Sequence, residues 1–88
     1  MKKKNATEIS KILVKIRTPK QAAEFLRDFL TEKEVNSLAE RWQIVKMIMK
    51  GVAHRKISKT LKVSISKITR GSRAVQKSRG GFKNFITK

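Results

Sequence analysis

Apolar residues recur along this chain at three- and four-residue spacing almost throughout, and no window alternates in the period-two manner of a strand. The pattern predicts an all-α fold. A first helix is expected from about Thr7 to Ile16, with Ile9, Ile12, Leu13 and Ile16 on one face. Thr18-Pro19 reads as a helix start, because Thr can accept from a free backbone N–H and Pro suits a first turn where its missing N–H would have no partner. The helix that follows is expected to bury Ala22, Phe25, Leu26 and Phe29. Thr31 and Glu34 have the spacing of a capping box, and the helix begun there carries Val35, Leu38, Ala39, Trp42, Val45, Ile48 and Met49 as its stripe until Gly51 ends it. At roughly 19 residues this third helix would be about 28 Å long, the backbone of the domain.

Residues 54 to 76 read as two short helices joined by a tight turn. The first spans His54 to Leu61 with Ile57 and Leu61 inward; the second starts at Ser64 or Ile65 with Ile65, Ile68 and Val75 inward. Lys62, Val63 and Ser64 make the turn, Val63 filling the angle between the helices and Ser64 serving as N-cap. A helix-turn-helix needs this arrangement of apolar crossing residues, a small residue at the closest approach, here Ser58, and a polar or basic outer face on the second helix. Ser66, Lys67, Thr69, Arg70 and Arg73 form that face and could reach base edges and phosphates in a major groove. The turn position usually filled by Gly is Lys62, and a left-handed Lys costs about 1 kcal/mol. Two amphipathic helices joined by a turn also occur in bundles that bind no DNA. Gly80-Gly81 breaks the pattern, and Phe82 and Phe85 suggest one short final helix. The expected organisation is a basic disordered arm over residues 1–5 and a single helical domain over 6–88.

Charge turns this fold towards a partner. The 88 residues include 23 Lys and Arg against 6 Asp and Glu, a formal net charge of +17. All six acids, Glu8, Glu24, Asp28, Glu32, Glu34 and Glu40, precede Arg41, so residues 41–88 carry fourteen Lys or Arg and no counter-charge. A half-chain of that kind repels itself unless phosphates neutralise it, which marks it as the nucleic-acid-facing half. A solvated basic face is the plainer alternative. At this length the core is small, and a homodimer is the expected source of further stability.

Several classes of chemistry lack their residues. There is no Cys and only one His, and the acid-free half offers no carboxylate for acid–base work, so an enzyme is not expected. His54 has no Cys or acid near it in sequence and reads as a phosphate contact or an exposed residue, not a metal ligand. Trp42 lies on the apolar stripe and reads as core. No segment is long and apolar enough to span a membrane or to form a signal peptide, and the expected location is the cytoplasm.

The run Ile68-Thr69-Arg70-Gly71-Ser72, preceded by Val63-Ser64-Ile65 and, further upstream, by Leu30-Thr31 and Arg41, resembles the tryptophan repressor family over roughly residues 19–88. Phe25 to Leu30 and Leu38 to Trp42 are also similar to relatives in the wider superfamily that are not known to sense tryptophan. The resemblance implies an intertwined all-helical homodimer whose two reading heads enter successive major grooves of a palindromic operator. It further implies a pocket for L-tryptophan as co-repressor, with no other cofactor. Arg41 and Arg70 would sandwich the indole, Thr31 would meet the carboxylate, backbone carbonyls around Leu26 to Asp28 would face the ammonium, and Gly71 would keep the wall thin. Stacking on an Arg plane and pairing of guanidinium with carboxylate suit those roles. Two positions depart from the family pattern: Lys67 replaces a Thr and Ala74 a Ser, which disfavours amino-acid binding and favours a regulator that needs no effector. For DNA, the family's contact positions match Arg55, Ile65, Ser66, Thr69 and Ser72, with His54 and Ser58 replacing other polar residues there; Lys67 and Arg73 complete the expected DNA-facing set. Arg55 is the expected bidentate partner of a guanine. The competing reading is an architectural DNA- or RNA-binding protein that coats backbone without reading sequence.

Overall fold

The computed structural model describes residues 3 to 86. Five α-helices follow in order: α1 (Lys3–Leu13), α2 (Pro19–Phe29), α3 (Glu32–Met49), α4 (His54–Leu61) and α5 (Ile65–Lys77), with a 3-10 turn at Lys83–Phe85 and no strand among the described residues. The chain, read from its sequence as one domain over 6–88, divides into two compact units, Met1–Val35 and Asn36–Lys88.

In the first unit, local chemistry sets each helix end. Helix α1 starts at Lys3, earlier than the expected Thr7, so Lys3, Lys4 and Asn5 are helical where a disordered arm was expected; Met1 and Lys2 lie outside the described residues. Neither Pro nor Gly interrupts that start, and the Thr7 hydroxyl donates to the Lys3 carbonyl at 3.0 Å. The helix also stops earlier than expected, at Leu13, where Lys15 N–H to Ile12 O (3.0 Å) and Ile16 N–H to Leu13 O (3.2 Å) tighten the chain into three-residue turns. Thr18 is extended and accepts from Gln21 N at 3.1 Å ahead of Pro19, while Gln21 Oε1 accepts from Arg17 N at 2.9 Å. The expected box at α3 forms in both directions: Thr31 Oγ1 accepts from Glu34 N (3.1 Å) and Glu34 Oε1 from Thr31 N (2.8 Å). Those two bonds to the ionised form hold the Glu34 carboxyl below its ordinary pKa. Phe25 and Phe29 stack with ring centroids 5.4 Å apart, yet neither α1 nor α2 contains a buried residue, and Phe29, expected in the core, is 58% exposed.

The second unit holds the core. Helix α3 ends in a Schellman motif: Gly51 has φ +82°, Gly51 N donates to Ile48 O (2.9 Å) and Val52 N to Met47 O (3.0 Å). Ile44, Ile57, Val63 and Ile68 form one buried cluster, flanked by Met47, Ile48, Val52 and Leu61, and Val45 is fully buried as well. The stripe expected on α3 is thus shifted. Val45 is in it, but Ile44 is the contact residue to the cluster, Trp42, Ile48 and Met49 are half-buried, and Leu38 and Ala39 are exposed. Apolar residues surround the C-terminal half of α3 (Ile44, Val45, Met47, Ile48, Met49), so periodicity alone does not single out the inward face. Half-buried Trp42 lies beside Phe82, ring centroids 6.5 Å apart, whereas Phe85 is largely exposed.

Candidate nucleic-acid interface and effector cleft

Helices α4 and α5 pack directly on one another, and the turn between them has the geometry its residues anticipate. Lys62 caps α4 in the left-handed region (φ 56°, ψ 47°) and is the sole non-glycine residue with positive φ among the described residues. Its backbone N–H donates to Ser58 O, so the strained conformation closes the last turn of α4. Val63 then inserts between the helices, 8% exposed, and the Ser58 hydroxyl donates to the Val63 carbonyl at 2.7 Å. Ser58 is small, as the crossing requires, and it also fixes the turn. Ser64 caps α5 by accepting from Lys67 N at 3.2 Å.

This framework divides α5 into two faces. Ile68 and Gly71, three residues apart, are buried, and Val75 is half-buried one turn further on. Ile65, Ser66, Thr69 and Arg73 are exposed, and the spacing of Ile65, Thr69 and Arg73 by four puts them on one outer stripe. Ile65 was expected inward. It is 51% exposed, because it occupies the first turn of α5, one turn before Ile68 enters the core. The Thr69 hydroxyl donates to Ile65 O at 3.0 Å, which orients its oxygen along the helix surface. Ser72 is half-buried; His54 and Arg55 stand exposed in the first turn of α4. Of the expected DNA-facing set, Lys67 alone has a side-chain partner of opposite charge among the described residues: its Nζ lies 2.8 Å from Glu40 Oε1.

A cleft of about 150 Å³ lies between α3 and α5, lined by Ser37, Glu40, Arg41, Ile44, Lys67 and Arg70. It brings together Arg41 and Arg70, paired in the sequence only by resemblance. Gly71 forms part of the same seam: a Cβ there would lie 2.7 Å from Ile44 Cγ2 and 3.5 Å from Ile48 Cδ1, so a side chain would collide with a buried, β-branched neighbour. Thr31 and Leu26 belong to the first unit and are not among the lining residues. Sequence reasoning missed Glu40, Ser37 and Ile44. Glu40 did carry a signal, as the last acid before a half-chain of cations. No group of His, Asp or Glu among the described residues could hold a metal ion, and no described helix is long and apolar enough to cross a membrane.

Comparison with known proteins places these features in a lineage. The family described as Trp repressor protein matches residues 4–88. The Trp operon repressor homolog of Chlamydia caviae is 38% identical over 73 residues, which cover 82% of this chain and 72% of that protein. The homolog from Chlamydia trachomatis serovar L2 is 37% identical over 73 residues, covering 77% of this chain and 78% of its own. No solved structure matches.

Proposed function

The chain belongs to the Trp repressor family, and from that premise we propose that it is a sequence-specific DNA-binding repressor that works as a homodimer through the α4–α5 head. Members of the family are regulators and not enzymes, and this chain is a repressor of that type. The observation that carries the DNA reading is the division of α5: Ile65, Ser66, Thr69 and Arg73 are presented outward while Ile68 and Gly71 anchor the opposite face. A surface that only coats phosphates has no need of hydroxyls and an apolar residue at groove-reading spacing; base edges and thymine methyls do. Exposed Arg55 is assigned to a guanine, and His54 and Ser72 to phosphate or sugar contacts, while Lys67 is engaged by Glu40. Homodimerisation is supported by α1 and α2, amphipathic helices without a buried residue, whose apolar faces a second copy would cover. Two heads related by a two-fold axis would read a palindromic operator with half-sites one helical turn, about 34 Å, apart.

The cleft admits two readings. In the first, L-tryptophan is the co-repressor, its indole between Arg41 and Arg70 beside Gly71. In the second, the regulator needs no effector. The second is favoured by Lys67, which lines the cleft in a pair with Glu40. Selection from a pool of random duplexes at fixed moderate salt, with and without millimolar L-tryptophan, tests both. Enrichment of a palindrome only with tryptophan supports the first reading and enrichment in both conditions the second. No enrichment refutes sequence-specific binding and leaves an architectural role.

A further inference from the structure

Helices α3 and α5 meet along an apolar seam and at one polar contact beside it. On α3, Glu40 and Ile44 are four residues apart on one face; on α5, Lys67 and Gly71 are four apart on one face. Ile44 closes on Gly71, where a Cβ would be 2.7 Å from Ile44 Cγ2, and Glu40 Oε1 closes on Lys67 Nζ at 2.8 Å. The apolar seam, Ile44 and Ile48 against Gly71 with Ile44 and Ile68 in one cluster, is smooth and non-directional along one stretch of the two helices. A directional polar contact one turn away, about 5.4 Å along the axis, adds a constraint on the rotation of α5 about that seam. The Glu40–Lys67 pair is the only ion pair among the described residues, although the chain carries 23 cations and 6 acids. Both of its residues line the cleft, and Arg41 and Arg70 beside them have no carboxylate partner among the described residues.

We infer that Glu40 is a positioning residue of the reading head: through Lys67 it fixes the rotation of α5 on α3, so the DNA-binding arrangement is set by the chain itself, without a small molecule between Arg41 and Arg70. This rests on the DNA-binding reading above. A ligand held between α3 and α5 would supply the same second point of attachment, and here an intramolecular ion pair supplies it. Both partners are partly exposed, 37% for Glu40 and 56% for Lys67, so solvent and salt weaken the link and its effect on binding is modest.

The sign of one substitution separates this role from bulk electrostatics. Removing an acid from a protein that binds a polyanion tightens binding if charge alone matters. If Glu40 positions α5, Glu40→Gln weakens binding, by about two- to five-fold for an exposed pair. The experiment is a titration of a fluorescent duplex, recovered from the random pool, with wild-type protein and the variants Glu40→Gln, Lys67→Met and the double substitution. Each is checked to be fully helical by circular dichroism at the assay temperature, so that a loss of fold does not mimic a loss of positioning. The expected result is weaker binding by Glu40→Gln, no weakening by Glu40→Gln in the Lys67→Met background, and wild-type affinity unchanged by millimolar L-tryptophan. Unchanged or tighter binding by Glu40→Gln overturns the inference while leaving the DNA-binding reading intact, as does a tenfold or greater gain with tryptophan for the wild type. Failure of the wild type to bind any recovered duplex above random DNA overturns that reading and the inference with it.

Discussion

Gly71 and Ile44 stand so close that a methyl group on Gly71 would lie 2.7 Å from Ile44 Cγ2. Ile44 is 2% exposed and β-branched, so it has little room to yield. Gly71→Ala therefore sets two effects against each other. Helix propensity favours Ala by about 1 kcal/mol, and overpacking a closed core costs about 1 to 3 kcal/mol. The expected outcome in urea unfolding is no gain, with a net loss of up to about 2 kcal/mol. A gain of about 1 kcal/mol would mean that the seam between α3 and α5 is looser than the structure has it.

Lys62 presents the opposite case, a side chain where none is wanted. Its φ of 56° costs an L-residue about 1 to 2 kcal/mol, and its side chain is exposed. Lys62→Gly is expected to raise stability by about 1 kcal/mol while the N–H to Ser58 O bond persists. Thermal unfolding followed by circular dichroism checks this, and a lower melting temperature would count against relief of strain.

The box at the start of α3 makes a statement about pH. Glu34 is held below the ordinary carboxyl value of 4.5, first by the Thr31 backbone N–H and then by the Thr31 side chain. A group whose pKa is depressed on folding adds stability that is complete above its unfolded value and is lost as pH falls through the folded one. Wild-type protein should therefore lose stability relative to Glu34→Gln as pH drops below 4.5, and the difference should be constant above it. Parallel curves across that range would show that the charge on Glu34 adds nothing to the box.

Much of this framework is legible in the sequence because its causes are local. Thr18-Pro19, Thr31 with Glu34, Gly51 and Ser64 each act through backbone groups within a few residues, and each does so in the structure. Even the left-handed Lys62 is readable, since a turn of that length between two helices forces the position on whichever residue occupies it. What escapes is set by packing at a distance. Ile44 is one of several apolar residues around α3, and only the approach of α5 selects it. Lys67 reads as one more outward cation until Glu40, 27 positions earlier, is brought against it. Ile65 has an apolar side chain and helical spacing, yet it lies a turn beyond the core and faces outward.

The unpartnered helices bear on assembly. No residue of α1 or α2 is fully buried and their apolar faces are at most half-covered, an arrangement that a second copy relieves. Sedimentation equilibrium at micromolar concentration is expected to give twice the chain mass of 10.1 kDa. A monomer would contradict the homodimer and, with it, the two-headed reading of a palindrome.

Sequence-specific recognition by the α4–α5 head is tested most directly by the ratio of affinities for a selected palindromic duplex and a scrambled one, measured at one salt concentration for wild-type protein and for Arg55→Ala. The wild type should favour the selected duplex by a factor of about 1,000 or more, and Arg55→Ala should lose about 1 to 3 kcal/mol on that duplex with relaxed preference at one base pair. Equal affinity of the wild type for both duplexes would contradict sequence-specific recognition and leave a basic helical protein that binds backbone alone.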